Sequence, residues 1–169
     1  VEAKPNAAHL ALAKLEEFFH VQIVTQNVDD LHERAGSTAV LHLHGEIRKA
    51  RSTIDAELIY PIDGWELKSG DRCEKGSQLR PHIVWFGEAV PMIMKAERVM
   101  EKADLFILIG TSLNVYPAAA LIHSIPHDVP RFIIDPKPDF INPTLGFRII
   151  AENATTGMLR LAEELVHKK

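Results

Sequence analysis

The chain has 169 residues and 18.9 kDa, the size of one domain with a buried core, and its 46% hydrophobic and 25% charged residues exclude disorder, collagen-like repeats and coiled coil. A net charge of -4 leaves no basic footprint, so neither nucleic acid nor an anionic membrane surface is expected as a partner. The single cysteine, Cys73, excludes an intrachain disulfide scaffold and points to the cytoplasm, and no apolar run reaches the roughly 20 residues of a membrane span.

Residues 5–19 place Ala8, Leu12, Leu15 and Phe19 at helical spacing, with Pro5 suited to the first turn. A β-branched run predicts a strand over 21–25, and further strands are predicted over 40–43, 81–86, 105–109 and 131–134. An amphipathic stretch at 91–102 and an Ala-rich one at 117–123 separate the last three. Residues 155–167 predict a terminal helix with Met158, Leu161, Ala162 and Leu165 inward. This alternation predicts an α/β fold, a Rossmann-like doubly wound parallel sheet whose ligand crevice lies beyond the carboxyl ends of the strands. Residues 47–79 break the pattern with Gly64, Gly70, Gly76 and many polar side chains. They are expected to form a small inserted module between two Rossmann-like segments, 1–46 and 80–169.

Polar clusters fall where strands are expected to end. Gln26-Asn-Val-Asp-Asp-Leu-His32 offers amides and carboxylates that could grip a polar small molecule, although Asn27 or Asp29 could equally cap a helix. In His42-Leu-His44-Gly45-Glu46 strand alternation puts both histidines on one face. His44, at the strand end, suits a general base, whereas His42 reads as a hydrogen-bonded strand histidine. A metal hydrolase built on His42, His44 and Asp29 or Glu46 is an alternative, but no other ligand spacing supports it and no metal is expected. Gly110-Thr-Ser112 would let a ligand meet free backbone N–H groups, or would simply turn a strand into a helix. Asp135 suits a ribose hydroxyl and would favour NAD over NADP, and Asp135-Pro136 is equally a turn starter. No Gly-x-Gly occurs anywhere, so the sequence carries no visible pyrophosphate grip.

Taken in order, Thr25-Gln-Asn-Val-Asp-Asp-Leu-His-Glu-Arg-Ala-Gly36, His42-Leu-His-Gly-Glu46, Arg80-Pro-His-Ile-Val-Trp-Phe-Gly-Glu88 and Ile109-Gly-Thr-Ser-Leu-Asn-Val-Tyr-Pro-Ala118 resemble the sirtuin family, the NAD-dependent protein lysine deacylases, and its bacterial branch most of all. The likeness covers the chain outside 47–79. It implies that His44 is the base drawing a proton from the nicotinamide ribose, with Asn27 positioning a water and Asp29 facing the carboxamide. Gln26, Asn27, Val28 and Asp29 would line the ribose and nicotinamide pocket. Gly110, Thr111 and Ser112 would hold the NAD phosphate and ribose, and Asp135 and Ala154 would lie beside the adenosine. Val84, Trp85, Phe86 and Gly87 resemble the edge that pairs with an acyl-lysine peptide as an added strand, with Val115 near the acyl-lysine channel.

The reaction so implied is attack of the acyl oxygen on the ribose carbon as nicotinamide leaves, giving free lysine, nicotinamide and O-acyl-ADP-ribose. Members of the family usually carry four zinc-binding cysteines where this chain has only Cys73, so structural zinc is not expected. Asp135 stands where asparagine is common, which keeps ribose hydrogen bonding and adds negative charge. The family's opening strand, glycine-rich phosphate loop and cofactor loop would precede Val1. The chain is therefore expected to be a carboxyl-terminal portion, with an oligomer forming through the surface so uncovered. A non-catalytic module binding NAD, ADP-ribose or a protein partner is the alternative.

Overall fold

The computed structural model describes residues 3–111, 113 and 115–168. Helix α1 (Ala7–Leu15) is shorter at both ends than the periodicity predicts. The side chain of Asn6 caps it by accepting the N–H groups of Ala8 and His9 (2.9 and 3.3 Å), so the helix starts after Pro5 rather than at it. Strand β1 (Ile23–Thr25), helix α2 (Leu31–Ala35) and strand β2 (Val40–His42) follow, and β1 and β2 pair in parallel with Val24 opposite Leu41.

The chain then enters an antiparallel sheet ordered β4-β3-β5, made from β3 (Gly45–Ser52), β4 (Ile59–Pro61) and β5 (Leu79–Ile83). Two corrections to the predicted strands arise here. The run predicted at 81–86 stops at Ile83 and belongs to this sheet, not to a parallel one. Strand β3 carries little strand signal, because Gly45–Ser52 is mostly charged and small residues and draws its order from pairing with β4 and β5, and β4 is only three residues long and ends in Pro61.

Helix α3 (Ile93–Met100) leads to β6 (Phe106–Ile109), a 3-10 segment (Ala118–Ser124) and β7 (Arg131–Ile134). Strand β8 (Phe147–Ile150), which sequence reasoning missed, precedes α4 (Ala154–His167). Strands β6, β7 and β8 form a second parallel sheet in that order, with Ile109 opposite Ile134 and Ile134 opposite Ile150. The α/β, Rossmann-like class stands, with its parallel strands in two groups and the antiparallel sheet inserted between them in sequence.

All four residues of β7 are buried, the mark of a parallel strand covered on both faces. Phe132 and Ile134 pack with Ala8, Ala11 and Leu15 of α1 and Met158 and Leu161 of α4. Ile133 packs on the opposite side with Leu108 and Ile141. Each fully buried aliphatic side chain contributes about 1.5–3 kcal/mol, so this double cover is what rigidifies the strand ends that a ligand would meet. Leu41 and Leu43 anchor the first parallel pair against Ala96 of α3 and Ala118 and Leu121 of the 3-10 segment. No helix of the described residues is long and apolar enough to cross a membrane.

Candidate functional site

At the carboxyl end of β1, the Gln26 backbone carbonyl accepts Nδ1 of His44 at 3.0 Å. A carbonyl can only accept, so Nδ1 carries the proton and Nε2 of the half-buried ring carries the lone pair. The carbonyl of His44 in turn accepts the Val84 N–H at 2.9 Å, which docks the end of β5 directly onto this histidine. Gly45 makes that approach possible. Its φ of +81° favours glycine, and a Cβ there would collide with the His82 carbonyl.

The Gln26 side chain reaches the other parallel sheet, donating Nε2–H to Oγ1 of Thr111 at 3.2 Å. Thr111 follows Gly110, whose N–H donates to the Ile134 carbonyl at 3.2 Å. Gly110 has φ +59°, and apart from its chain neighbours no described residue places an atom within 4 Å of where its Cβ would stand. Asp135 continues the row. Its N–H donates to the Ile150 carbonyl (3.2 Å), and its carboxylate accepts the Lys137 N–H (2.7 Å). Ala154 opens α4 just beyond β8, behind Asn153, which makes no side-chain capping bond. Ser112 lies outside the described residues.

The segment after Gln26 is held by its backbone. The Asn27 N–H donates to Oγ1 of Thr25 (3.1 Å), the Asn27 carbonyl accepts Nδ1 of His42 (3.0 Å), and the Val28 carbonyl accepts the Ile47 N–H (2.7 Å). Asn27 is exposed and caps no helix. Asp29 accepts the Leu31 N–H at 3.1 Å, leaving its second carboxylate oxygen as an acceptor, and Asp30 rather than Asp29 is the N-cap of α2.

The two histidines of the His-x-His run do not converge. His42 Nε2 lies 2.7 Å from Oε1 of Glu33 while Nδ1 donates to Asn27, so both ring nitrogens are engaged and no lone pair is left for a metal. Burial opposes protonation of this ring, but the bonds to Glu33 and Asn27 outweigh it and raise its pKa. No group of three or more His, Cys, Asp or Glu among the described residues could hold a metal ion. Cys73 is buried with Sγ donating to Oγ of Ser52 at 3.3 Å, and a lone thiol so engaged does not fit the four-thiolate zinc site usual in the resembling family.

Trp85, Phe86 and Gly87 form an exposed turn beyond β5 rather than a strand, with Trp85 54% and Phe86 98% exposed. Its anchor is Glu88, whose carboxylate accepts the Trp85 N–H and two hydrogen bonds from Arg80. Sequence reasoning gave no role to Glu88, Arg80 or Arg51. The first two were visible within the quoted Arg80–Glu88 motif, whereas Arg51 is far from it in sequence and only strand pairing brings it close. Val115 is exposed three residues before the 3-10 segment, its carbonyl accepting the Ala119 N–H at 2.9 Å. Two clefts touch the candidate residues at Val84 and Asp29. One of about 300 Å³ runs past His42, His82 and Val84, and one of about 280 Å³ reaches Asp29 between Arg34, Arg48 and Trp65.

The donor set fits a dinucleotide: amide, hydroxyl and glycine backbone at the ends of parallel strands, a carboxylate beside a strand end at Asp135, and a histidine whose Nδ1 is held by a backbone carbonyl. The Sir2 family model matches residues 1–117. An NAD-dependent protein deacylase of Bacteroides thetaiotaomicron is 47% identical over 171 residues, spanning 98% of this chain and 73% of the relative. The crystal structure of a Sir2 homolog–NAD complex superposes with a TM-score of 0.84 at 36% identity, covering 99% of this chain and 67% of that one. Sir2Af2 bound to a myristoylated histone peptide superposes with a TM-score of 0.78 at 32% identity, over 99% of this chain and 76% of that one. With the family model matching well over half of its residues, and with His44, Gln26 and Thr111 joined at the strand ends, the chain belongs to the Sir2 family.

Proposed function

We propose that this chain carries out NAD-dependent deacylation of protein lysine, with His44 as the general base. The observation that carries the reading is the bond from His44 Nδ1 to the Gln26 carbonyl, because it fixes the tautomer that leaves Nε2 able to accept a proton. NAD, consumed as a co-substrate, would supply on loss of nicotinamide the ribose carbon that takes up the acyl oxygen; water then adds to the acyl carbon as its bond to the lysine nitrogen breaks, so that the products are free lysine, nicotinamide and O-acyl-ADP-ribose.

Every other role falls to the chain's own side chains. His44 takes a proton from a ribose hydroxyl, directly or through a neighbouring hydroxyl, and the imidazolium so formed keeps its Nδ1–H bond to Gln26. Gln26, Asn27 and Val28 line the ribose and nicotinamide side, with Asn27 positioning a water. Asp29 offers its second carboxylate oxygen to the carboxamide, which donates N–H and so needs an acceptor there. Gly110, Thr111 and Ser112 approach the phosphate and ribose from the other sheet, and Asp135 and Ala154 the adenosine. Fixed dipoles and the Asp29 carboxylate meet the positive charge that develops on the ribose without reorganising at the moment of reaction. The peptide backbone adds along Val84, Trp85, Phe86 and Gly87, with the acyl chain directed past Val115, so affinity comes through main-chain bonds and tolerates varied target sequences. Residues 47–79 serve as a module between the segments 1–46 and 80–169 that hold the co-substrate, and the chain acts in the cytoplasm.

The decisive experiment follows nicotinamide release from NAD with and without an acetyl-lysine peptide. Release that depends on the peptide and falls by roughly 10²–10⁴-fold in His44→Ala supports the assignment. Full activity in the variant overturns the role of His44. Binding of NAD or ADP-ribose by the unaltered protein with no turnover favours the non-catalytic module instead.

A further inference from the structure

The turn that follows β5 is exposed. Trp85 and Phe86 point much of their surface to solvent, and Gly87, at φ +88°, has nothing within 4 Å of where a Cβ would be. What holds the turn is polar and converges on one carboxylate. Glu88 accepts Nη1 of Arg80 at 2.6 Å and Nη2 of Arg80 at 3.1 Å, a bidentate fork. It also accepts Nη2 of Arg51 at 3.4 Å and the Trp85 N–H at 3.1 Å. The Glu88 N–H returns to the Trp85 carbonyl at 3.0 Å. Both arginines donate in addition to the Ile83 carbonyl, each at 3.4 Å. Arg51 comes from β3 and Arg80 from the adjacent β5, so the carboxylate ties the turn to both strands of the inserted sheet. Upstream, the Val84 N–H is fixed on the His44 carbonyl at 2.9 Å. The segment 84–88 is thus clamped at its two ends, once on the candidate base and once on Glu88.

We propose that Glu88 is a positioning residue that, through Arg80 and Arg51, holds the Trp85–Gly87 backbone in the shape that receives an acyl-lysine peptide, and so sets peptide affinity apart from the chemistry at His44. The proposal rests on the deacylase reading above. A turn with two exposed aromatic side chains, released from its carboxylate, loses order in the free protein, and that order must then be restored at the moment of peptide binding. The cost falls on the peptide and not on NAD, whose candidate contacts lie on other strand ends. Hydrogen bonds from Arg80, with that from the Trp85 N–H, hold the Glu88 carboxyl down at about 2, so the clamp is charged throughout the neutral and mildly acidic range.

The test uses Glu88→Gln in the full chain, on a Trp65→Phe background so that Trp85 is the one fluorophore of its kind. Hydrogen exchange at the Trp85 amide is expected to speed up by roughly tenfold, and the KM for an acetyl-lysine peptide to rise by roughly tenfold, with kcat and the KM for NAD within about twofold of the parent. Arg80→Lys, which keeps the charge and loses the fork, is expected to fall between the two, and it carries the same test should Glu88→Gln fail to fold. An unchanged peptide KM in Glu88→Gln overturns the proposal. So does an equal loss in peptide KM, NAD KM and kcat, which would make Glu88 merely a fold-stabilising residue. If the parent protein shows no peptide-dependent turnover, the deacylase reading fails on its own account. Peptide affinity followed by Trp85 fluorescence then decides the proposal separately, and equal binding by parent and variant, or no binding by the parent, overturns it.

Discussion

Two histidines separated by one residue carry opposite assignments because of what each nitrogen touches. His44 has Nδ1 on a carbonyl and, among the described residues, no hydrogen-bond partner at Nε2, the arrangement proposed for the base. His42 has both nitrogens engaged, one of them by the Glu33 carboxylate, an arrangement that favours the protonated ring. A raised His42 pKa means that the folded chain binds this proton more tightly than the unfolded chain does. The stabilisation is fully present below the ordinary value of 6.5 and disappears as pH rises through the raised one. Glu33→Gln keeps a hydrogen-bonding group and removes the charge. It is expected to lower stability by about 1–2 kcal/mol near pH 5.5 and by much less near pH 8. Denaturant titrations of the two proteins at both pH values check this, and a gap that is constant with pH would refute it. His32, its own pKa lowered by burial and by the nearby His9, also faces Glu33, so its contribution to the difference has the same sign.

At the level of elements, the junction between β2 and β3 does the positioning. The chain leaves the parallel pair at His42, passes His44 and turns at Gly45 into a strand whose partner, β5, delivers Val84 back onto His44. One glycine therefore joins the base to the segment proposed to take the peptide. Gly45→Ala places a methyl against the His82 carbonyl in a left-handed conformation and is expected to destabilise the protein by roughly 1–3 kcal/mol. The peptide KM should worsen along with it, because the β3–β5 register shifts next to Val84. Thermal melts together with peptide titration check this, and an unperturbed melting temperature would refute it.

Across the whole molecule, the antiparallel sheet is knit by a network of side-chain hydrogen bonds and ion pairs. Gln78 donates to the carbonyls of Lys68 and Leu79 (3.1 and 3.0 Å) and accepts the Gly70 N–H (2.8 Å). Arg72 donates to the Gly76 carbonyl at 2.6 Å, Tyr60 to Glu74 at 2.9 Å, and Lys75 pairs with Asp55 at 2.7 Å. Thr53 and Ser77 share a further hydrogen bond, and the Cys73 thiol bonds Ser52 beneath it. We expect exhaustive treatment with a metal chelator to leave both the melting temperature and peptide-dependent turnover unchanged, and a drop of more than a few degrees that added zinc restores would refute it.

The sequence alone disclosed four of the five parallel strands and the terminal helix, because a strand such as Arg131–Ile134 and a helix such as Ala154–His167 write their burial into local apolar pattern. It also disclosed the polar residues at strand ends, and their motifs pointed to the family, since those groups sit in short contiguous runs. Strands β3, β4 and β8 were not legible. A strand such as Gly45–Ser52 owes its existence to a partner far along the chain, and nothing in its own residues encodes that pairing. For the same reason the separation of His42 from His44, the bridge from Gln26 to Thr111, and the convergence of Arg51, Arg80 and Trp85 on Glu88 were decided by tertiary structure alone. Composition and spacing reveal which groups a chain owns, whereas the direction in which each nitrogen or carboxylate finds its partner depends on packing between elements distant in sequence.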